Sequence, residues 1–353
     1  IAVGAHEGLR LPIPGADLPE VLINTQFLRD VSLANLGVEP QFLLGNPQAA
    51  IRNHHVLVLG GGNVAVDCAR TAVRLGASRV DMACLESREK APANLEEIRE
   101  AEEEGITLYP SRSFKRILEK DGHVAGVEAV KVTFMEFDRD GRLILETEEE
   151  SEHTLPCEVV IFAIGQQAGL AFIPESTGVG ITRQSTIVVN PNTLAATRPG
   201  VFAAGDAITG TGYVIEAVAS GHKAAASMHR YLRGEDMERP SPPELPVVKM
   251  TPEEIQEKRS NGEIKVTPRV PVGAQSAKER VSTFQEVSRG YTEEEAKAEA
   301  ARCLACGVCS ECLCCYYKCG LKAINHDMVE TEEEIRVGSI ILEPLLTNQK
   351  LDK

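Results

Sequence analysis

The apolar positions of the chain fall into two rhythms. Short unbroken runs, Val-Leu-Val-Leu at residues 56–59 and the run within residues 157–167, are typical of strands buried on both faces of a parallel sheet. Residues 79–85 and 106–109 predict further strands, and residues 124–148 a β-hairpin turning at Asp138, Asp140 and Gly141. Helical spacing covers residues 63–75, stopped by Gly76, and residues 213–232, stopped by Gly234. It also covers residues 95–105, with Leu95, Ile98 and Ala101 on one face. Residues 1–5 read as the end of a strand and residues 11–29 as a loop entering a short helix. Strands alternating with helices predict an α/β class with a parallel sheet.

The first strand–helix junction carries chemistry. Gly60, Gly62 and Ala65 stand in the spacing G-x-G-x-x-A between a buried strand and a helix, the dinucleotide fingerprint. Gly60 makes the tight turn, Gly62 lets the backbone approach a pyrophosphate, and Ala65 lets helix and strand pack closely. The phosphates are expected on the free N–H groups where the helix opens, at Asn63 and Val64. An acidic residue after the next strand accepts hydrogen bonds from a ribose 2′-hydroxyl, and Glu86 stands there. A 2′-phosphate would need positive charge, and Arg88 is the nearby cation. The balance favours NAD(H) over NADP(H).

Residues 234–275 are rich in proline and hold only a short charged helix near residues 253–259, the composition of a linker. Residues 292–302 predict a helix opened by a Thr292–Glu295 capping box. It delivers Cys303 to a run of cysteines. Cys303, Cys306, Cys309, Cys312, Cys315 and Cys319 give four C-x-x-C steps and a C-x-x-x-C, and the last four reproduce a ferredoxin spacing. Soft thiolates in this number fit iron–sulfur clusters. Two such clusters need eight thiolates and the run, with Cys314, has seven, so one cluster or two remain open. A zinc site would use only four. The other cysteines, Cys68, Cys84 and Cys157, sit in apolar segments as inert core residues.

The formal charge of −15 argues against nucleic acid and anionic membranes as partners. No apolar run approaches the length of a membrane span, and no signal-peptide pattern opens the chain, so a cytoplasmic location is the expectation. The chain opens within a strand pattern and ends in a charged tail, as expected of a piece of a longer polypeptide.

Several motifs together resemble the pyridine-nucleotide flavoprotein family that includes the flavoprotein subunits of bifurcating transhydrogenases and the small subunit of glutamate synthase. They are the turn at residues 2–5, the I-P-G-x-D-L segment at residues 13–18, and the T-x-x-x-V-F-x-x-G-D string ending at Gly205 and Asp206. The C-S-E-C stretch and residues 337–342 are similar to the stretch entering the FAD domain of heterodisulfide reductase. The resemblance implies a two-dinucleotide-binding flavoprotein fold: a Rossmann-like NAD domain, part of an FAD domain, and a small cysteine-rich iron–sulfur module. It implies domains at residues 1–53 (partial FAD-domain connection), 54–156 (nucleotide), 157–234 (remainder of the FAD domain), 235–282 (linker), 283–330 (iron–sulfur module) and 331–353 (tail). It places Ala163 and Gly165 near both nucleotides and Asp206 on the FAD ribityl chain. Gly212, Tyr213 and Val214 are assigned to the flavin side, with helix packing as the alternative for Tyr213 and Val214.

The expected function is a flavin-linked oxidoreductase module passing electrons between NAD(P)H, FAD and [4Fe–4S] clusters inside a larger complex, with a ferredoxin-like or disulfide-reducing acceptor. The alternatives are an electron-input subunit of a glutamate synthase-type enzyme and a redox-silent zinc-binding scaffold. No side chain has a triad-like setting, so none is assigned as catalytic.

Overall fold

The computed structural model describes residues 1–39, 46–137, 143–238, 251–263 and 267–302. They fall into two units, one comprising Ile1–Pro242 and Pro271–Tyr291, the other Pro243–Val270 and the residues from Thr292.

In the first unit, residues 1–5 form no strand; the Ile1 carbonyl instead accepts the Ala204 N–H at 3.1 Å. The chain continues through β1 (Glu7–Gly8) to β2 (Val21–Ile23), which runs directly into α1 (Asn24–Asn35). A short helix, α2 (Pro47–Ile51), is capped by Asn46, whose side chain accepts the Gln48 N–H at 2.9 Å. Then come β3 (His55–Leu59), α3 (Asn63–Arg74), β4 (Arg79–Ala83), α4 (Leu95–Glu103) and β5 (Thr107–Tyr109), in the expected order. One detail of α4 differs from expectation. Ile98 and Ala101 are buried, but Leu95, at the helix's first position, overhangs the packed turns and is 69% exposed.

β6 (Arg112–Lys120), β7 (His123–Phe137), β8 (Leu143–Thr147) and β9 (His153–Leu155) make an antiparallel sheet centred on β7. β7 and β8 are the expected hairpin; its turn lies outside the described residues. β10 (Val159–Phe162) re-enters the parallel sheet, whose order is β2-β10-β3-β4-β5. The parallel sheet therefore crosses the expected boundaries: beside its strands within residues 54–156 it takes β2 from residues 1–53 and β10 from residues 157–234. Val160 pairs with both Val21 and Leu57, a long-range register that no local pattern encodes. β11 (Gln166–Gln167) then pairs antiparallel with β1.

Side-chain parity builds the two faces of the parallel sheet. Val56 and Val58 of β3, with Val159 and Ile161 of β10, join Phe27, Val31, Ala65, Ala69 and Ile98 in a core under the helices. The alternate residues Leu57, Leu59, Val160 and Phe162 meet Phe114, Ile117, Val127 and Leu155 of the antiparallel sheet. Each fully buried side chain of this size contributes roughly 1.5–3 kcal/mol. The unbroken apolar runs are thus explained: both faces of each central strand are covered.

Residues 168–238 hold smaller clusters around Ile187, Ala203, Leu194 and Ala224, the short α5 (Asp206–Thr209) and the long α6 (Val214–Leu232). In the second unit, α7 (Pro252–Ser260) is opened by a Thr251–Glu254 capping box.

β12 (Gly273–Ala274), α8 (Ala277–Arg280) and β13 (Ser288–Gly290) belong to the first unit, so the far end of the expected linker is docked rather than free. The dock is ionic. Glu104, buried at the end of α4, receives Arg70 Nη2 and Arg74 Nη1 at 2.8 Å, and Arg280 Nε lies 2.8 Å from its Oε1. Burial alone pushes the Glu104 carboxyl up, and the hydrogen bonds of Arg74 and Arg70 more than reverse this, leaving it below the ordinary carboxylate range. In the second unit, α9 (Glu293–Ala300) is opened by the expected Thr292–Glu295 capping box.

A carboxyl with a depressed folded-state pKa adds stability above its unfolded pKa and loses it as pH falls through the folded value. Glu104→Gln, which leaves buried guanidinium groups without their anion, is expected to lower unfolding free energy at pH 7 by about 3–5 kcal/mol. It should also flatten the acid limb of stability below about pH 5. Urea unfolding at a series of pH values reads both effects; a variant as stable as the parent at pH 7 would contradict the ionic dock.

Candidate nucleotide-binding site

The parallel strands end on one rim, and the order β2-β10-β3-β4-β5 makes β3 the point where the chain turns outward in both directions. In open α/β sheets a ligand crevice forms at such a reversal, outside the carboxyl ends of the strands. A cleft of about 580 Å³ lies here. Its lining includes Gly60, Gly62, Asn63 and Val64 after β3, Glu86 beyond β4, Ala163 and Gly165 after β10, and Gly212 and Tyr213 before α6.

Each glycine of the turn has its own reason. Gly60 has φ 146°, and a Cβ there would fall 2.2 Å from the Ala163 carbonyl oxygen and 3.3 Å from the Ala65 Cβ. Only glycine passes that crossing. A Cβ on Gly62, by contrast, would meet nothing within 4 Å, so the open side of the turn is kept clear. Gly62 is the N-cap of α3 and brings no capping side chain. The amides at this helix N-terminus are therefore left for an anion. The Asn63 side chain is occupied elsewhere: its Oδ1 accepts the Asn94 N–H at 2.9 Å, pinning the segment after β4. Ala65 is fully buried under the helix and lines no part of the cleft, matching its expected packing role.

Glu86 sits beside the turn, its Oε2 within 3.3 Å of where a Gly61 Cβ would be. Arg88 does not join it. Its guanidinium is paired with Glu102 on α4, with Nη2 donating to Oε2 at 2.7 Å, and it lines no part of the cleft. Arg88 thus stands apart from the other expected residues, held by a carboxylate of α4.

Gly205 and Asp206 lie outside this cleft. Gly205 has φ 67°, in the left-handed region that favours glycine, and its N–H donates to Ser220 Oγ at 2.8 Å. The Asp206 carboxylate has no hydrogen-bond or ion-pair partner among the described residues. Val214, at the start of α6, is 82% exposed and also lines no part of the cleft. Cys68, Cys84 and Cys157 are buried free thiols, as expected. Burial pushes Cys84 and Cys157 up to about 12 and raises Cys68 further. None of them is poised as a nucleophile. Cys303, Cys306, Cys309, Cys312, Cys315 and Cys319 lie outside the described residues.

Several lining residues were missed, among them Phe114, Met135, Gln166 and the polar, buried Asn24. Asn24 follows β2 and faces this cleft because β2 is the neighbour of β10. The signal was the apolar triplet Val21-Leu22-Ile23 ending on a polar residue, the same form as the other strand ends.

Among the described residues, no helix is long and apolar enough to cross a membrane. Comparison with known proteins agrees with the geometry. The β subunit of NADP(+)-dependent formate dehydrogenase from Moorella thermoacetica is 34% identical over 87% of this chain and 42% of its own length. The β subunit of NADPH-Fe(3+) oxidoreductase from Geobacter sulfurreducens is 32% identical over 71% of this chain and 41% of its own. The small chain of glutamate synthase [NADPH] from Azospirillum brasilense is 32% identical over 66% of this chain and 48% of its own. The chain thus spans less than half the length of these curated relatives. Residues 1–224 match the family model described as pyridine nucleotide-disulphide oxidoreductase. With this match covering more than half of its residues, the chain belongs to the pyridine nucleotide-disulphide oxidoreductase family.

Proposed function

We propose that the β3 cleft binds a nicotinamide dinucleotide, and that the chain serves as the nucleotide-side module of an oxidoreductase working within a larger redox complex. In that complex electrons pass between NAD(P)H, FAD and iron–sulfur clusters. The observation that carries the reading is the turn itself, closed against Ala163 on one side and open at Gly62 on the other. Such cofactors, when bound, supply hydride and single-electron transfer; the protein supplies binding, orientation and electrostatics.

The chain's own groups then divide the work. Gly60 fixes the turn, the N-terminal amides of α3 bind the pyrophosphate, and Glu86 accepts the ribose hydroxyls. The Asp206 carboxylate, free of partners among the described residues, fits a hydroxylated chain such as the ribityl of FAD. The cysteine spacing C-x-x-C-x-x-C-x-x-x-C supports at least one [4Fe–4S] cluster. The subunit names of the relatives support work in a complex. The relative named as a glutamate synthase small chain favours a second reading, electron input to an amidotransferase partner. Glutamate formation on adding such a partner would single it out.

Although the relatives are named for NADP(+) or NADPH, the local residues favour NAD(H). Glu86 stands at the turn, and Arg88 is held by Glu102. Three outcomes are expected. Gly62→Ala should keep the parent's melting temperature within a few degrees yet weaken NADH binding at least about tenfold, whereas Gly60→Ala should destabilise the fold itself. Calorimetric titration and thermal melting separate the two; equal nucleotide affinity in Gly62→Ala would contradict the site. NADH should bind about tenfold or more tightly than NADPH, with Glu86→Gln narrowing the gap, because a charge-assisted hydrogen bond is lost. A parent chain that prefers NADPH would overturn this assignment. Anaerobic iron and sulfide reconstitution should give a brown protein bleached by NADH once flavin is supplied; a colourless protein holding zinc would instead support the scaffold.

A further inference from the structure

We propose that Asn24 binds the carboxamide of the nicotinamide ring. This rests on the nucleotide reading of the cleft given above. Asn24 is 1% exposed and lines the cleft, and neither its Oδ1 nor its Nδ2 has a hydrogen-bond partner among the described residues. Buried amides without partners are rare because the lost hydration is not replaced. The side chain has no capping duty that would explain it: the N-cap of α1 is Ile23. The surrounding chain nevertheless makes room for it. A Cβ at Gly8 would fall 2.2 Å from Asn24 Oδ1, so residue 8 is left without a side chain where the amide lies. The Gly8 N–H is given to Thr25 Oγ1 at 3.2 Å and does not satisfy that oxygen.

The place of Asn24 on the rim identifies what it meets. All neighbouring strands of the sheet are parallel, so their carboxyl ends share one side. Glu86 follows β4 on one flank of the glycine turn; Ala163 and Gly165 follow β10 on the other, and Asn24 follows β2 beyond them. With its pyrophosphate over the start of α3 and its adenosine ribose on Glu86, a dinucleotide directs its second half across β10 towards β2. The head of that half is nicotinamide. Its carboxamide presents a carbonyl acceptor and an N–H donor, the complement of Nδ2 and Oδ1. Two amides facing one another close two hydrogen bonds, and both unpartnered atoms of Asn24 are satisfied at once.

The test is calorimetric titration of the whole chain and of Asn24→Leu with three ligands: NAD⁺, ADP-ribose, and the NAD⁺ analogue carrying an acetyl group in place of the carboxamide. Leucine is similar in volume and removes the buried polar atoms, so the variant is expected to fold. The parent should bind NAD⁺ about tenfold more tightly than the acetyl analogue, which lacks the N–H donor. Asn24→Leu should weaken NAD⁺ by about tenfold or more, leave ADP-ribose within about twofold, and no longer discriminate between NAD⁺ and the analogue. Equal weakening of NAD⁺ and ADP-ribose, or discrimination unchanged in the variant, would overturn the assignment. A parent that does not discriminate would overturn it without any variant. Failure of the parent to bind either NAD⁺ or ADP-ribose would be recognisably different, since it removes the nucleotide reading as well.

Discussion

The crossing of Gly60 over the Ala163 carbonyl is the constraint on which the cleft depends. β3 and β10 are neighbours in the sheet, and each leaves it at the same rim. For both chains to turn there, one must pass within a distance that no Cβ tolerates. Gly60 allows it, and the consequence is positional: α3 begins directly over the rim with its amides turned to the reversal of the sheet. Ala65, small and buried, lets the helix settle against the strand. The uncapped amides at the start of α3 are therefore placed by backbone packing rather than by any charged side chain. This suits a chain whose formal charge is −15 and whose nearby arginine is already paired.

The layers around the crossing hold it in place. Helices cover one face of the parallel sheet and an antiparallel sheet covers the other, so β3 and β10 are held from both sides by apolar contacts. On the helical side, the ionic dock of Arg280 on Glu104 ties residues 271–291 to α4. Three guanidinium groups around one buried carboxylate leave net positive charge in that corner. Glu100, 2.8 Å from Arg70 Nη1, and Glu103, 2.8 Å from Arg280 Nη2, offset it.

Much of this was legible in the sequence because the information is local. The glycine turn, α3 with its Gly76 stop, the Thr292–Glu295 capping box and the buried character of Val56, Leu57, Val58 and Leu59 all follow from neighbouring residues. What escaped was non-local. Nothing near Val21 announces that it will pair with Val160, so β2 read as loop and Asn24 went unnoticed. Arg88 looked available because its distance along the chain to Glu102 hid their closeness in space. The proline-rich stretch read as linker throughout because Arg280 becomes a buried anchor only once Glu104 is set at the end of α4.

The central claim is that a nucleotide occupies the rim between β3 and β10. Hydrogen–deuterium exchange with and without NADH tests it most directly, because the claim names backbone amides. The account predicts slowed exchange in peptides covering Gly60 to Val66 and Ala163 to Gln166. Slowing confined to other segments, or none at saturating NADH, would contradict it.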